Sequence, residues 1–230
     1  MTQISQGADA VPDEKKNPLT RYEGQQADVY RDERLCIHRG ECSRAKGDLF
    51  VGGRQPWCQP DLSPMEEITD VVARCPSGAI TYARKDGGQA ERAVPRNTVA
   101  VSTNGPLYVR GQLEIAGAPA DMAGVRFRAA LCRCGQSQHK PFCDNSHAAT
   151  GFKDSGAVGD PGQPLASERG PLQITPAPNG PLRVTGNFTL ITSSGRSAWQ
   201  GTKTNLCRCG QFSTKPFCDG THRKVGFTTE

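Results

Sequence analysis

The sequence predicts an α+β protein, in which a small N-terminal α+β domain is followed by a β-rich tandem of two metal-binding units. Three observations lead to this prediction. A segment with three cysteines and one histidine occurs twice, the residues before each copy are rich in β-branched side chains, and the N-terminal third combines one helical pattern with strand patterns. Since a single short unit buries little apolar surface, we expect the two copies to pack about a pseudo-twofold axis.

The composition excludes several classes of protein. Of the 230 residues, 35% are hydrophobic and 6% are aromatic, while 26 glycines and 17 prolines favour loop-rich domains held together by metal. No apolar stretch is long enough to span a membrane, and residues 1–20 lack the apolar core of a signal peptide. No basic run is interleaved with aromatic residues, so a nucleic-acid partner is not expected. We therefore expect a cytoplasmic protein with no membrane partner.

The N-terminal third is predicted to hold one small domain. Residues 1–24 are expected to be disordered, and residues 25–90 are expected to form the α+β domain. Within it, Ala27–Arg31 has a strand pattern, and Ala79–Ala83 has another. Between them, Ser63–Ala73 has a helical pattern that opens with Ser-Pro-Met-Glu, which predicts a capping box with proline at the first helical position.

Three cysteines of this domain have the spacing of an iron–sulfur ligand group. Cys36 and Cys42 enclose five residues, and Cys75 opens a Cys-Pro-Ser-Gly-Ala-Ile segment. In these motifs residues 25–85 resemble the divergent single-cluster ferredoxins. The resemblance implies a ferredoxin-like domain in which Cys36, Cys42 and Cys75 hold one cluster.

The N-terminal ligand motif is one cysteine short. A full four-iron motif, Cys-x2-Cys-x2-Cys, would place a cysteine at position 39, where this chain has Arg39. The loss of one thiolate favours a 3Fe–4S cluster, or a 4Fe–4S cluster with a non-cysteine fourth ligand. We interpret Cys58 as a packing thiol, because free cysteines are often buried, and a fourth-ligand role for Cys58 is the alternative.

The C-terminal two thirds contain an internal duplication. Cys207 follows Cys132 by 75 positions, and at the same spacing the Asn-Gly-Pro-Leu of 104–107 recurs at 179–182. We place the first unit at residues 91–154, a linker rich in glycine, proline, alanine and serine at 155–170, and the second unit at 171–230. The predicted strands are Asn97–Thr103 and Leu107–Ile115 in the first unit, and Leu172–Thr175 and Leu182–Ile191 in the second.

Each copy supplies three thiols and one imidazole within one short stretch. The candidate ligands are Cys132, Cys134, Cys143 and His147, then Cys207, Cys209, Cys218 and His222. Three soft thiolates and one nitrogen suit zinc or an iron–sulfur cluster. A disulfide framework is the other use of clustered cysteines, but the Cys-x-Cys spacing closes disulfides poorly.

The two copies resemble the CDGSH iron–sulfur domain, the mitoNEET-like family. They share with it Cys-x-Cys, then Pro-Phe-Cys-Asp, and a histidine four residues after the last cysteine. The resemblance implies one 2Fe–2S cluster per copy, with two cysteines on one iron and a cysteine and the histidine on the other. Asn145 replaces the usual glycine and is expected to keep positive φ, and Phe212 stands where serine or threonine is usual. A structural Cys3His zinc is the alternative.

These expectations combine into a hypothesis about function. The chain is expected to transfer electrons with two 2Fe–2S clusters and one 3Fe–4S or 4Fe–4S cluster. Neither Gly-x-Gly-x-x-Gly nor a P-loop is present, and no acid–base constellation is evident, so we expect a non-enzymatic carrier served by a redox partner protein. A cluster carrier or storage protein that supplies an apo-protein acceptor, or a redox or pH sensor, is the alternative. We expect a monomer with an internal pseudo-dimer.

Overall fold

A computed structural model describes residues 17–159, 161–211 and 213–229 of the chain. Strands predominate and helices are few, which confirms the α+β class. In chain order the strands are β1 (Leu19–Tyr22), β2 (Ala27–Asp32), β3 (Ile80–Arg84), β4 (Thr98–Val101), β5 (Leu107–Arg110), β6 (Leu113–Ile115), β7 (Arg128–Leu131), β8 (Leu172–Pro176), β9 (Leu182–Ile191) and β10 (Ser197–Leu206). The α-helices are α1 (Met65–Arg74) and α2 (Ser146–Ala149).

The N-terminal domain is a three-stranded antiparallel sheet in the order β1-β2-β3, with α1 packed on β3. The buried face of α1 is formed by Met65, Ile68, Val71 and Val72, at the three- and four-residue spacing of an amphipathic helix. The helix ends at Arg74, and the N–H of the next residue, Cys75, bonds to carbonyl oxygens of the last turn. This ending places the candidate ligand Cys75 directly after the helix, where it is buried.

Two local predictions for this domain are wrong. Residues 17–24 were expected to be disordered, but they contain β1, because each residue of β1 pairs with β2 from Leu19 opposite Asp32 onward. The other residues of that segment, 1–16, lie outside the described part of the chain. The capping box is absent too: Pro64 occupies the N-cap position of α1 with no side-chain cap, so Ser63 lies one residue too early to cap the helix.

The second sheet joins both copies. Its strand order is β6-β8-β9-β4-β5-β7, and β10 pairs with β9 beside this path. The predicted strand from Leu107 to Ile115 is divided into β5 and β6 at Gly111, which has a φ of 143°. A Cβ at Gly111 would lie 2.0 Å from Oδ1 of Asn97, so only glycine fits where the chain turns.

The strand registers show the pseudo-twofold relation between the copies. β4 of the first copy pairs in parallel with the end of β9, with Val99 opposite Leu190. A shift of 75 positions carries Val99 to Ile174 and Ile115 to Leu190, and Ile115 indeed lies opposite Ile174 in the parallel pairing of β6 with β8. Strands of each copy therefore pair with strands of the other copy, and the apolar faces of both copies are buried together.

The connection between the copies lies against the sheet. Among its described residues, 155–159 and 161–170, no helix or strand forms. The carbonyl oxygen of Ser155 accepts hydrogen bonds from the hydroxyl groups of Thr103 and Ser193, one from each copy, and Val158 is buried in the common core. The predicted linker thus packs as a strap across both units.

Candidate metal centres

The first copy presents its four candidate ligands as two pairs. The sulfur atoms of Cys132 and Cys134 are 3.9 Å apart, and the sulfur of Cys143 is 3.4 Å from Nδ1 of His147. The three thiols are buried and the imidazole is half-buried. Two thiolates on one tetrahedral metal, with bonds of about 2.3 Å, lie about 3.8 Å apart. Each pair thus has the spacing of two ligands on one metal ion.

The second copy repeats this arrangement with a more open outer pair. The sulfur atoms of Cys207 and Cys209 are 3.3 Å apart, and the sulfur of Cys218 is 3.4 Å from Nδ1 of His222. Cys207 and Cys209 are buried, but Cys218 is half-buried. Across the part of the chain that the structure describes, no group of three or more His, Cys, Asp or Glu side chains surrounds a single ion position. The candidate ligands of the two copies therefore come together in pairs.

A tight turn presents the histidine of each copy. In the first copy the Asp144 carboxylate accepts backbone N–H bonds from Ser146 at 3.0 Å and from Gln138 at 2.8 Å. The next residue, Asn145, has a φ of 74°, and its counterpart Gly220 has a φ of 86°. The expectation that Asn145 keeps the positive φ of the usual glycine is confirmed. Phe212, the other departure from the family pattern, lies outside the described residues.

Backbone hydrogen bonds fix the third cysteine of each copy to a strand. The N–H of Cys143 donates to the Ala130 carbonyl of β7 at 2.9 Å, and the N–H of Cys218 donates to the Asn205 carbonyl of β10 at 2.9 Å. The N–H of Asn145 also points at the Cys143 sulfur, 3.4 Å away. Hydrogen bonds to ligand sulfurs raise the reduction potential of an iron–sulfur centre, so the amide of Asn145 belongs to the chemistry of the site.

Arg133 braces the loops around the first centre from inside the protein. Its side chain is fully buried, and its Nε donates to the carbonyl oxygen of Gly105 at 2.9 Å. The two terminal nitrogens donate to the carbonyl oxygen of Ser102 and to the carboxylate of Asp154. The guanidinium thus ties the segment of the first ligand pair to the loop at the start of the unit.

Arg208 has the equivalent role in the second copy, but without a carboxylate. Its Nε donates to the Gly180 carbonyl at 2.9 Å, and a terminal nitrogen donates to the Ala177 carbonyl at 2.7 Å. The position equivalent to Asp154 is Thr229, which hydrogen-bonds to Asn179 instead. The two copies therefore differ by one buried ion pair.

Burial and mutual hydrogen bonding control the ionisation of the thiols. The hydrogen bond between Cys132 and Cys134 lowers the pKa of Cys132 and, together with burial, raises the pKa of Cys134. Burial raises the pKa of Cys143 to about 12, and burial followed by the neighbouring Cys209 raises the pKa of Cys207. Since metal binds thiolates, loading must displace protons, and the affinity of these sites for metal rises with pH.

The imidazole of the first centre is held in its neutral form. Burial lowers the pKa of His147 below its ordinary value of 6.5, and the positive charges of Arg133 and Arg39 lower it further. A neutral ring keeps a lone pair available for metal. Arg39 comes from the N-terminal domain, so that domain contributes charge to the environment of the first centre.

The N-terminal candidate ligands line one cavity. Cys36, Cys42 and Cys75 surround a cavity of about 280 Å³, and Arg39 and Trp57 also line it. The pKa of Cys42 is raised by burial and then by the charges of Cys36 and Cys75. The position of the missing ligand is thus filled by a cation beside the cavity.

Cys58 is buried in the apolar core of the domain. It is 1% exposed, belongs to the apolar core, and forms an antiparallel bridge with Phe50. Burial raises the pKa of Cys58 to about 12. It is absent from the lining of the cavity that the other three N-terminal cysteines share. This environment fits the interpretation of Cys58 as a packing thiol, which stays a prediction.

The N-terminal centre adjoins the first copy, and the first copy adjoins the second. Ile37, next to the ligand Cys36, packs in a small apolar cluster with Ala130 and Cys143 of the first copy. The two copies meet at glycines: a Cβ at Gly135 would lie 2.8 Å from the Cys209 carbonyl oxygen. The role of Ile37 was not predicted from the sequence, although an apolar residue directly after a ligand cysteine is the signal that the sequence offers.

All ten cysteines are free thiols, which contradicts the disulfide alternative. Their fit to iron–sulfur clusters rests on this donor set, with paired ligands in two centres and three cysteines lining one cavity in the third. Among the described residues, no helix is both long and apolar enough to cross a membrane.

Comparisons with known proteins agree with these groupings. A family described as a divergent 4Fe-4S mono-cluster matches residues 22–85, and a family described as an iron-binding zinc finger of CDGSH type matches residues 104–148 and 179–223. The uncharacterized protein YjdI of Escherichia coli K12 is 41% identical over 64 residues, which are 28% of this chain and 84% of YjdI, and YjdI of E. coli O157:H7 matches to the same extent. No solved structure matches, so the ferredoxin-like fold of the first domain stays a prediction.

Proposed function

The chain belongs to the divergent 4Fe-4S mono-cluster and CDGSH-type iron-binding families, and from this membership we propose that it is a non-enzymatic electron carrier with three iron–sulfur clusters. That it is an iron–sulfur protein follows from the two families. In this proposal the chain holds two 2Fe–2S clusters, one in each CDGSH-type copy, and one 3Fe–4S or 4Fe–4S cluster in the N-terminal domain. We further propose that the chain works as a monomer in the cytoplasm.

The main support for 2Fe–2S clusters in the two C-terminal centres is that their ligands lie in pairs. A 2Fe–2S cluster needs four protein ligands, two on each iron. The four ligand pairs have separations of 3.3–3.9 Å, which suit two donors on one metal. The residues that would hold the clusters are Cys132, Cys134, Cys143 and His147 in the first copy, and Cys207, Cys209, Cys218 and His222 in the second.

The surrounding residues prepare these sites for electron transfer. Bound clusters would supply one-electron oxidation and reduction. Burial of five of the six C-terminal ligand thiols excludes water, the amide of Asn145 points at a ligand sulfur, and the buried cation of Arg133 lies within the first unit. A neutral imidazole in place of a thiolate makes the site less negative and raises its reduction potential. These features favour a centre that cycles between oxidation states over one that serves only as a structural metal.

For the N-terminal centre we propose three cysteine ligands. Cys36, Cys42 and Cys75 share one cavity, whereas Cys58 lies in the core, and this favours a 3Fe–4S cluster over a four-iron cluster with Cys58 as fourth ligand. Cys58→Ala should keep the EPR signal of the N-terminal cluster, whereas Cys36→Ala should abolish it. Loss of that signal in Cys58→Ala, with a folded protein, would assign Cys58 as a ligand.

A cluster carrier is the second candidate function, and one observation favours it. Cys218 of the second copy is half-buried while its counterpart Cys143 is buried, so the second centre is the more accessible to an acceptor. Mixing the holoprotein anaerobically with an apo-ferredoxin separates the two functions. Electron transfer predicts that visible spectra bleach with dithionite and recover on oxidation while the apo-ferredoxin stays colourless. Transfer of the absorbance to the apo-ferredoxin would instead establish the carrier.

A further inference from the structure

One face of the first copy is covered by the N-terminal domain. In the antiparallel pairing of β5 with β7, Tyr108 lies opposite Ala130 and Arg110 lies opposite Arg128. Residues directly opposite each other share a face of the sheet, and positions two apart on one strand also share it. These four residues therefore form one patch, which we term the covered face.

The contacts on the covered face are electrostatic at one end and apolar at the other. Arg110 donates to the carbonyl oxygen of Ala73, just before the candidate ligand Cys75. Arg128, which is 3% exposed, donates to the carbonyl oxygen of Ile80 at 2.9 Å and pairs with the carboxylate of Glu91. At the other end Ile37 packs on Ala130. The N-terminal domain thus offers backbone acceptors to the two cations of the covered face.

The second copy has the same face without a cover. A shift of 75 positions carries the covered face to Arg183, Thr185, Lys203 and Asn205, and the pairing of β9 with β10 places Arg183 opposite Asn205 and Thr185 opposite Lys203. Arg183, Lys203 and Asn205 are exposed. Within the described residues neither Arg183 nor Lys203 has an ion-pair partner. We term these four residues the open face.

The open face adjoins the second centre. A groove of about 790 Å³ is lined by Arg183 and Asn205 of the open face together with Cys218, His222 and Arg223. Arg223 and the following Lys224 are exposed and basic. The groove therefore connects a positively charged surface to the half-buried ligand pair of the second centre.

We propose that the open face is the docking site for an acidic surface of a redox partner protein. The inference rests on the proposed electron-transfer function. On the covered face, a domain with its own candidate centre docks beside the first centre by giving the backbone carbonyl oxygens of Ala73 and Ile80 to Arg110 and Arg128. The equivalent position beside the second centre presents unpaired cations, and carboxylates complement them. A docked partner would hold the same position relative to the second centre that the N-terminal domain holds relative to the first.

Binding of a defined acidic protein tests this proposal. The immobilised full-length holoprotein is titrated with a plant-type 2Fe–2S ferredoxin, which is acidic, by surface plasmon resonance at low and physiological salt. Arg183→Glu/Lys203→Glu reverses the charge of the open face. Arg126→Glu/Lys153→Glu is the matched control, because both residues are exposed and lie outside the open face. We expect the open-face variant to bind about ten-fold more weakly or worse, with a flatter salt dependence, and the control to bind as the parent does.

Three results would overturn the proposal. These are no binding by the parent at low salt, equal weakening by both double variants, and tighter open-face-dependent binding of a single-stranded RNA oligonucleotide than of the ferredoxin. Unchanged visible spectra of both variants show that their centres are intact. Mixing with reduced ferredoxin then separates this inference from the proposed function. Open-face-dependent binding without loss of the EPR signal of the reduced ferredoxin supports the docking site and contradicts electron transfer.

Discussion

The duplication allows the ion pair between Arg133 and Asp154 to be measured against an internal control. Arg133→Met and Arg208→Met replace equivalent buried guanidinium groups with an apolar side chain of similar length. Each change removes hydrogen bonds to two backbone carbonyl oxygens and one contact with an aromatic ring, Phe152 at 5.1 Å or Phe227 at 5.7 Å. These losses largely cancel when the two variants are compared.

The remaining difference is the carboxylate of Asp154. Removing one partner of a buried ion pair costs about 3–5 kcal/mol, because the other charge stays buried. Here Asp154 keeps a backbone N–H bond from Gly156 at 2.8 Å and has Lys215 at 3.7 Å, which offset part of that cost. We therefore expect Arg133→Met to lower the free energy of unfolding by about 2–3 kcal/mol more than Arg208→Met does. For a chain of this size that difference corresponds to a Tm gap of roughly 4–12 °C.

Differential scanning calorimetry of the anaerobic holoproteins at one scan rate measures the gap. Arg133→Met/Asp154→Asn should recover part of the loss, since it removes the orphaned charge and keeps an acceptor for Gly156. Equal Tm values for the two single variants, or a lower Tm for Arg208→Met, would refute the assigned role of the ion pair. A double variant no more stable than Arg133→Met would refute the orphaned-charge explanation.

Three further predictions concern the centres and the interface between domains. Arg39→Cys supplies the missing thiolate, so the N-terminal cluster should convert to a conventional four-iron centre; an unchanged EPR signal counts against this. His147→Cys and His222→Cys should each make one C-terminal centre resistant to bleaching near pH 6 and harder to reduce, with the N-terminal cluster unaffected. Because the pKa of His147 is lowered, the folded protein favours its neutral form. The stability that the neutral imidazole contributes is present above the ordinary pKa of histidine and is lost as the pH falls through the lowered pKa. If the double variant bleaches as fast as the parent, the histidines are not ligands. Gly124→Ala would place a Cβ 2.0 Å from a backbone carbonyl oxygen and should lower the free energy of unfolding by about 1–3 kcal/mol. Gly52→Ala is the control, because its Cβ would meet no atom within 4 Å and should lower the free energy of unfolding much less. Equal Tm changes for the two variants would show that the backbone at Gly124 moves without cost.

Local patterns were enough to predict the centre of each unit. The Cys-x-Cys and Pro-Phe-Cys-Asp spacing lies within one turn-rich segment, so the chain itself brings Cys132 near Cys134 and Cys143 near His147. Asn145 could be assigned a positive φ because few other residues adopt it. The 75-residue shift predicted the pseudo-twofold relation, which the pairing of β6 with β8 bears out.

Contacts between distant segments could not be predicted in this way. β1 owes its order to pairing with β2, and the β5–β6 break depends on Asn97, which touches Gly111 only in the folded sheet. The contact of Ile37 with Cys143 joins residues more than a hundred positions apart, and no periodicity in the sequence encodes it. Docking of domains therefore became visible only in three dimensions.

The metal content of anaerobically purified protein tests the central claim most directly. Iron, sulfide and zinc analysis combined with Mössbauer spectroscopy should give about seven or eight irons per chain. Two 2Fe–2S clusters and one three- or four-iron cluster account for them, with zinc absent. Two equivalents of zinc without visible absorbance from the C-terminal units would contradict the account, because the paired ligands would then hold structural metal.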